Sequence, residues 1–275
     1  MQWHEFKDKA YHGIYKARWY PRIYLPNSKP TLVYSTHKTG SQAIRSTLYR
    51  HGIGLVFWAH VMNRKRVEQS HQRLKEQGRK PFINRRWQDL ILERFIEKDR
   101  PMKIVTSTRD MVARDLSLFF HRFENHHHIS PNEYRGRFNE LQAIFYSEFV
   151  DRDMRYWFEQ EYGDVLGLNI YDHPFPHEQG YQVIQHKQFE ILLLKLETPD
   201  LTKEKALSEF FEVPNIKMYM TNIGARKGYG DTYKDFRNYL TLPQSYIDER
   251  YDSREMQHFY TPDEIEQFRT KWRVT

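Results

Sequence analysis

The sequence predicts an α/β fold, with a central parallel sheet flanked by helices in three layers and helical additions in the middle and at the C-terminus. Three observations predict it. Short apolar runs recur near 31–35, 55–58, 103–107 and 189–196. Between the first three lie stretches whose apolar residues repeat at helical spacing, and this alternation is the pattern of parallel strands joined by crossover helices. The 275 residues, 39% of them hydrophobic, suffice for one large core.

Taken in order, residues 1–30 lack periodicity and are punctuated by Pro21, Pro26 and Pro30, which marks an irregular arm. Thr31 to Ser35 reads as a buried strand. A helix over 41–50 follows, with Ile44 and Leu48 on one face and Gly52 and Gly54 beyond its end. After the second strand, 55–58, a basic helix is expected over 64–76 and a clearer one over 86–97, whose apolar face is Leu90, Ile91, Phe95 and Ile96. The third strand, 103–107, leads into a helix over 111–123. Helices are expected over 132–149, 151–162 and 202–211, with a core strand at 189–196. The glycine-bearing stretch 221–232 reads as a loop. The final helix is announced by Thr261-Pro-Asp-Glu264, a capping box with proline in the first turn. Neither a repeat nor a linker divides the chain, so a single domain over 1–275 is expected.

Composition narrows the function. With 43 Lys and Arg against 36 Asp and Glu the formal charge is +7, which favours anionic partners such as phosphorylated cofactors, acidic glycans or nucleic acid. Without cysteine there are no disulfides, thiolate nucleophiles or cysteine-held metals. No apolar run approaches the ~20 residues of a membrane span, and the start lacks the apolar region of a signal peptide, so a cytoplasmic protein is expected.

Two turns carry the chemistry. The first is Ser35-Thr-His-Lys-Thr-Gly-Ser-Gln42, where a strand feeds a tight turn and a helix opens at once. Unpaired amides at a helix start form an anion site. Gly40 permits close approach of a phosphate, Lys38 adds a positive charge, and Thr39 and Ser41 add hydroxyls. It is not a Walker A loop, which needs four residues between its first glycine and a Gly-Lys pair. Alone, the turn reads equally as an ordinary strand-to-helix connection with a surface lysine. The second turn puts Arg109 at the C-terminal end of the third strand and Ser117 eight residues on, two helical turns into the next helix. Ligands of open parallel sheets bind off those strand ends, so both turns face one crevice. Arg109 can fork onto a phosphate and Ser117 can donate a hydroxyl; equally, Arg109 can pair with Asp110 and Ser117 can serve packing.

The pair of motifs, strand-Lys-Thr-Gly-Ser and strand-Arg-Asp-x-x-x-Arg-x-x-Ser, resembles the sulfotransferases that use PAPS (3′-phosphoadenosine-5′-phosphosulfate). The resemblance implies a P-loop-like fold. It implies that Lys38, Thr39, Gly40, Ser41 and Gln42 hold the 5′-phosphosulfate, and that Arg109 and Ser117 hold the 3′-phosphate. His37 stands where that family often has proline, and Met111 where Arg-Asp-Pro is usual; neither removes a binding group. Arg226-Lys-Gly-Tyr-Gly-Asp-Thr-Tyr-Lys234 resembles the late loop that closes over the 3′-phosphate, shortened by one residue, which adds Arg226, Lys227 and Gly228. The stretch from Tyr156 through Tyr181 to Glu197 resembles bacterial capsular polysaccharide synthesis proteins, a sulfotransferase-like branch.

The resemblance implies transfer of a sulfuryl group from PAPS to a hydroxyl, with PAP (the desulfated donor) as product and no metal. Such transfer needs in-line geometry and positive charge at the leaving oxygen, a role for Lys38, and a base for the acceptor hydroxyl. His60, just past the second strand, is the first candidate base; His121, one turn after Ser117, and His37 follow, with Glu93 and Glu97 behind. The run His126-His-His128 reads as a solvated or acceptor-contacting loop rather than a metal site, and Arg64-Lys-Arg66 as an exposed basic face able to hold an acidic acceptor. The expected partner is a hydroxyl-bearing glycan, which the basic charge allows to be acidic, and not nucleic acid. Two other classes fit the charge: a non-catalytic nucleotide- or nucleic-acid-binding protein, and a nucleotide kinase with a degenerate phosphate loop. Neither calls for the Arg109–Ser117 spacing.

Overall fold

The computed structural model describes residues 17–76, 78, 86–149, 155–219 and 228–272. Five strands form one sheet: β1 (Thr31–Tyr34), β2 (Val56–Ala59), β3 (Met102–Thr108), β4 (Tyr181–His186) and β5 (Phe189–Lys195). Their spatial order is β2-β1-β3-β5-β4. β1 pairs with β2 and with β3 in parallel, and β3 pairs with β5 in parallel; only β4 runs antiparallel, against β5. The expected parallel α/β sheet is therefore present.

Side chains of a strand alternate between faces, and the core divides accordingly. Leu32, Tyr34, Ile104, Ile191 and Leu193 join the larger apolar cluster. Val33, Val105, Leu192 and Leu194 join the smaller one on the other face. The smaller cluster is closed by Ile44 and Leu48 of α1 (Ser41–Arg50) and by Leu207 and Phe210 of α6 (Asp200–Phe211). The larger holds α4 (Met111–His127), α5 (Phe138–Phe149) and the C-terminal helices α7 (Gly230–Tyr239), α8 (Gln244–Tyr251), α9 (Arg254–Phe259) and α10 (Pro262–Trp272). Two helices, α2 (Arg64–Glu76) and α3 (Arg86–Ile91), lie between β2 and β3.

Several expectations need correction. The helix expected over 86–97 is α-helical only to Ile91 and continues as a π-helix, Leu92–Ile96. The one expected over 132–149 is divided: a 3-10 turn at Pro131–Tyr134, then Gly136 in the left-handed region (φ 79°), then α5. Part of 151–162 lies outside the described residues, and its described end is a π-helix, Glu159–Gly163. Of the loop expected over 221–232, residues 221–227 lie outside the described residues, while Gly230 already opens α7. Strand β4 and helices α8 and α9 were not anticipated. β4 is a polar edge strand with Val183 exposed, and its tight turn to β5 carries Lys187 at φ 52° where a glycine would have signalled a hairpin. The final helix has the expected capping box: the Thr261 N–H donates to Glu264 at 2.9 Å and the Glu264 N–H donates to Thr261 Oγ1 at 3.2 Å. Among the described residues no helix is long and apolar enough to cross a membrane.

Candidate functional site

At the carboxyl edge of the sheet, β1 runs into a turn whose polar residues are mostly enclosed. Ser35, Thr36 and Thr39 are buried, while His37 and Lys38 are half-buried. Lys38 takes the left-handed conformation at φ 66°, which costs a non-glycine residue about 1–3 kcal/mol and is characteristic of ligand-holding turns. Gly40 is left-handed too (φ 86°), and a Cβ there would sit 2.7 Å from Leu196 Cδ1, just past β5. The backbone conformation favours glycine, and a Cβ would also force the Leu196 side chain to shift. Gly40 is the N-cap of α1 and offers no side chain to its first amides, so those amides suit an anion. The hydroxyl oxygens of Ser35 and Thr36 are buried without a hydrogen-bond partner among the described residues. The Thr39 hydroxyl is used inside the turn, donating to the Thr36 carbonyl at 3.0 Å. Ser41 is buried and Gln42 half-buried in the first turn of α1.

The structure joins the two turns expected to face one crevice. Arg109 Nη1 donates to the Lys38 carbonyl at 2.8 Å, and Ser107 Oγ donates to the Thr39 carbonyl at 2.7 Å. Both bonds run from the end of β3 to the turn after its neighbour β1. Asp110 does not pair with Arg109 here; its carboxylate caps α4, accepting from the amides of Val112 and Ala113. Ser117 is half-buried, two turns into α4. Gly228 is exposed and its carbonyl accepts from Asn132 Nδ2 at 3.1 Å, whereas Arg226 and Lys227 lie outside the described residues.

His60 directly follows β2, beside the turn. Its Nδ1 lies 2.6 Å from the Ser35 carbonyl. A carbonyl only accepts, so Nδ1 carries the proton and Nε2 keeps a lone pair. The ring lies 4.0 Å from the His37 ring and 4.8 Å from that of Trp58, centroid to centroid. Though part of its surface reaches solvent, it is densely surrounded. Burial, opposed by the Ser35 bond and reinforced by the charges of Arg122, Lys38 and Arg45, pushes its pKa down to about 4. The ring is therefore neutral at physiological pH, and cations gather around it. Arg45 and Arg122 escaped sequence reasoning; the available signal for Arg45 was its position one turn after Ser41 on the same helix face.

A second set of residues, from the segment Trp157–Tyr162, fixes the chain around His60. Trp157 Nε1 donates to the His60 carbonyl at 2.8 Å. The fully buried Glu161 carboxylate accepts from the amides of Met62 (2.7 Å) and Asn63 (3.0 Å), from the Tyr34 hydroxyl and from Arg66 Nη1. Burial and that carboxylate hold the Tyr34 phenol protonated, well above its ordinary range. The Tyr162 hydroxyl donates to the Tyr34 carbonyl at 3.0 Å. Arg66 is thus a structural partner rather than part of an exposed basic face. Arg64 is exposed and pairs with Glu97 (2.9 Å) and Glu93 (3.8 Å), which occupies both weaker carboxylate candidates. His121 is exposed on α4. The histidine run is not a loop: His126 and His127 end α4, His127 Nε2 meets Glu148 at 2.5 Å, and His128 caps the helix at φ 58°. Among the described residues no group of His, Asp and Glu could hold a metal ion.

Residues 133–261, just under half of the chain, match the model of the family described as "NKWYS: Putative capsular polysaccharide synthesis protein". No curated protein and no solved structure matches the chain significantly. The matched segment holds Trp157, Glu161 and Tyr162, but Lys38, His60, Arg109 and Ser117 lie outside it. The match supports a polysaccharide-related role and a possible transferase.

Proposed function

We propose that this chain is a sulfotransferase that moves a sulfuryl group from PAPS to a hydroxyl of a glycan. The observation that carries the reading is the bond from Arg109 to the Lys38 carbonyl, which makes one anion-binding edge of two turns on adjacent parallel strands. The residues fit a donor with two phosphate ends. The uncapped start of α1, with Lys38, Gly40 and Ser41, suits the phosphosulfate, and Arg109 with Ser117 suits the 3′-phosphate. The glycan acceptor draws on the polysaccharide family matched over 133–261.

PAPS supplies an activated sulfuryl group. The acceptor oxygen bonds to sulfur while the bond from sulfur to the bridging phosphate oxygen breaks; the acceptor proton passes to His60 Nε2, and PAP leaves. Lys38 stabilises the negative charge on the departing phosphate. His60 takes the proton because its other nitrogen is committed to the Ser35 carbonyl. Burial first, and the unshielded cations around it after that, make a ring with a pKa near 4 a weak base. An anionic donor beside Lys38 counters those charges and raises its basicity.

The test is transfer from radiolabelled PAPS to a panel of soluble polysaccharides. His60→Ala should lower kcat about a hundredfold, the usual worth of a general base, while PAP affinity stays within about threefold. In the wild-type protein without donor, the His60 resonances should titrate near pH 4. The ring gains its proton as pH falls, so activity should decline on the acidic side, at a pH above the donor-free value of about 4 because the bound donor raises the ring's basicity. Loss of PAP affinity in His60→Ala, or a turnover unchanged by it, would remove His60 from the mechanism.

A further inference from the structure

Both neighbours of Arg109 in the chain are held by side chains from far along the sequence. Thr108, which ends β3, donates its hydroxyl to Glu255 Oε1 at 2.9 Å. The Asp110 N–H donates to Glu197 Oε1 at 2.9 Å, and the Tyr251 hydroxyl donates to Asp110 Oδ1 at 2.7 Å. Glu197 is itself fixed by the Tyr260 hydroxyl, which donates to its Oε2 at 2.8 Å. Glu197, Tyr251, Glu255 and Tyr260 all belong to the stretch 133–261, and Arg109 does not. The backbone that carries Arg109 is thus gripped on both sides, while its guanidinium reaches across to the Lys38 carbonyl.

One member of this grip is built differently. Both oxygens of Glu197 are bonded, but Glu255, fully buried on α9, has only one that is. Its Oε2 has no hydrogen-bond partner among the described residues. Arg114 Nη1 of α4 stands 3.8 Å from it, beyond hydrogen-bond length. Arg114 is also shared, since its Nε lies 3.7 Å from Asp115 Oδ1. Asp115 has partners of its own: the Tyr246 hydroxyl at 3.1 Å and Arg250 Nε at 3.5 Å from Oδ2. The other groups that act on Glu255 or feel its charge are Glu159, which opens the π-helix Glu159–Gly163, and the phenols of Tyr171 and Tyr260. Burial holds both phenols protonated. For Glu255, burial is the main push upward; Arg114 and the Thr108 bond oppose it, Glu159 and Asp115 add to it, and the pKa stands at about 7. Glu255 therefore exchanges its proton near neutrality, one hydrogen bond from the residue before Arg109.

A carboxylate accepts a hydrogen bond more strongly than a neutral carboxyl group does. Ionised, Glu255 pulls the Thr108 hydroxyl tight; protonated, it holds the same hydroxyl more weakly. Arg114 beside it offsets the charge itself, so the change reaches Arg109 through the strand end.

We propose that Glu255 is a positioning residue for donor binding: its ionised carboxylate, acting through Thr108, holds Arg109 where it meets the 3′-phosphate. The inference rests on the donor role proposed above for Arg109. It gives donor binding a dependence on protons separate from that of His60, which acts in turnover.

The experiment has two arms, both on the full chain. The first uses no nucleotide and follows the Glu255 carboxyl carbon and the amides of Thr108, Arg109 and Asp110 by NMR across neutral pH. The amides should move with the carboxyl, centred near pH 7, and should stop doing so in Glu255→Gln. The second measures PAP and AMP, which lacks the 3′-phosphate, by calorimetry at about pH 6 and about pH 8; comparing variants at one pH cancels the titration of the nucleotide phosphates. At the higher pH, Glu255→Gln should bind PAP about tenfold more weakly than wild type; at the lower pH the two should differ by less than about threefold. AMP should distinguish the two proteins at neither pH. Thr108→Val, which keeps the shape but not the bond, should show the same loss of PAP affinity at the higher pH, and it decides the matter if Glu255→Gln does not fold. Amides that ignore the Glu255 titration, or a Thr108→Val that binds PAP as wild type does, would overturn the proposal. PAP bound equally by wild type and Glu255→Gln would overturn this inference alone; PAP bound by neither protein at either pH would overturn the donor reading and this inference with it.

Discussion

The turn after β1 and the segment Trp157–Tyr162 meet at His60, and they hold it by different means. The turn takes the ring, through the Ser35 carbonyl; the segment takes the backbone, through Trp157. The turn is open in its bonding: its helix start is uncapped, two buried hydroxyl oxygens lack partners among the described residues, and Lys38 is conformationally strained. The segment is closed in its bonding, for Glu161 alone accepts from four groups on β1, on the loop after β2 and on α2. The turn that we propose receives an anion keeps unspent donors and positive charge. A region meant to hold another in place satisfies every bond it can. In the proposed function, ligand chemistry and scaffolding are divided between two stretches more than a hundred residues apart.

Breaking the brace should have the largest effect. Glu161→Ala leaves Arg66, Tyr34 and two amides facing an empty buried site, and loss of one partner from a buried charged pair costs about 3–5 kcal/mol. Chemical denaturation should show a loss of that size. A change below about 1 kcal/mol would mean that the segment merely covers the sheet.

Breaking the turn should act on binding instead. Arg109→Ala should weaken PAP about a hundredfold, the worth of a charged, forked phosphate contact. Binding of the analogue that lacks the 3′-phosphate should fall far less, by the share due to the lost Lys38 carbonyl bond. Equal loss of both ligands would make Arg109 a scaffold residue like Glu161 and erase the contrast.

The smallest effect belongs to a cation outside both regions. Arg64→Ala removes exposed pairs with Glu93 and Glu97, so stability should change by about 1 kcal/mol or less and PAP affinity should not change. A loss of PAP affinity in that variant would extend the anion site to α2.

The same division explains what could be read from the sequence. The turn is local: Ser35 to Gln42 carries its glycine, lysine and hydroxyls in eight consecutive residues, and Ser117 follows Arg109 by eight residues, about two turns into the next helix. Strand–helix alternation placed both at the carboxyl edge, where they lie. The brace has no local signature. Tyr34 and Glu161 are 127 positions apart, and a glutamate in a polar helical stretch reads as solvated surface until the fold buries it. Arg66 was misread for the same reason, because its partner is 95 positions away. The tilt of His60 toward a neutral ring is likewise a product of packing, since the cations that depress its pKa come from the turn, α1 and α4. The division of the expected helix over 132–149 was visible in Gly136, whose left-handed backbone ends the first turn.

The central claim is that the carboxyl edge of the sheet is built for a nucleotide carrying phosphate at both ends of its ribose. Thermal unfolding with PAP and with ATP, each at one concentration under the same salt, tests it most directly. At a hundredfold excess over Kd a ligand of the native state adds about 2.7 kcal/mol, enough to raise Tm by about 5 °C or more in a chain of this size. PAP should produce such a rise and ATP little. Equal rises for the two nucleotides, or none for PAP, would contradict the account.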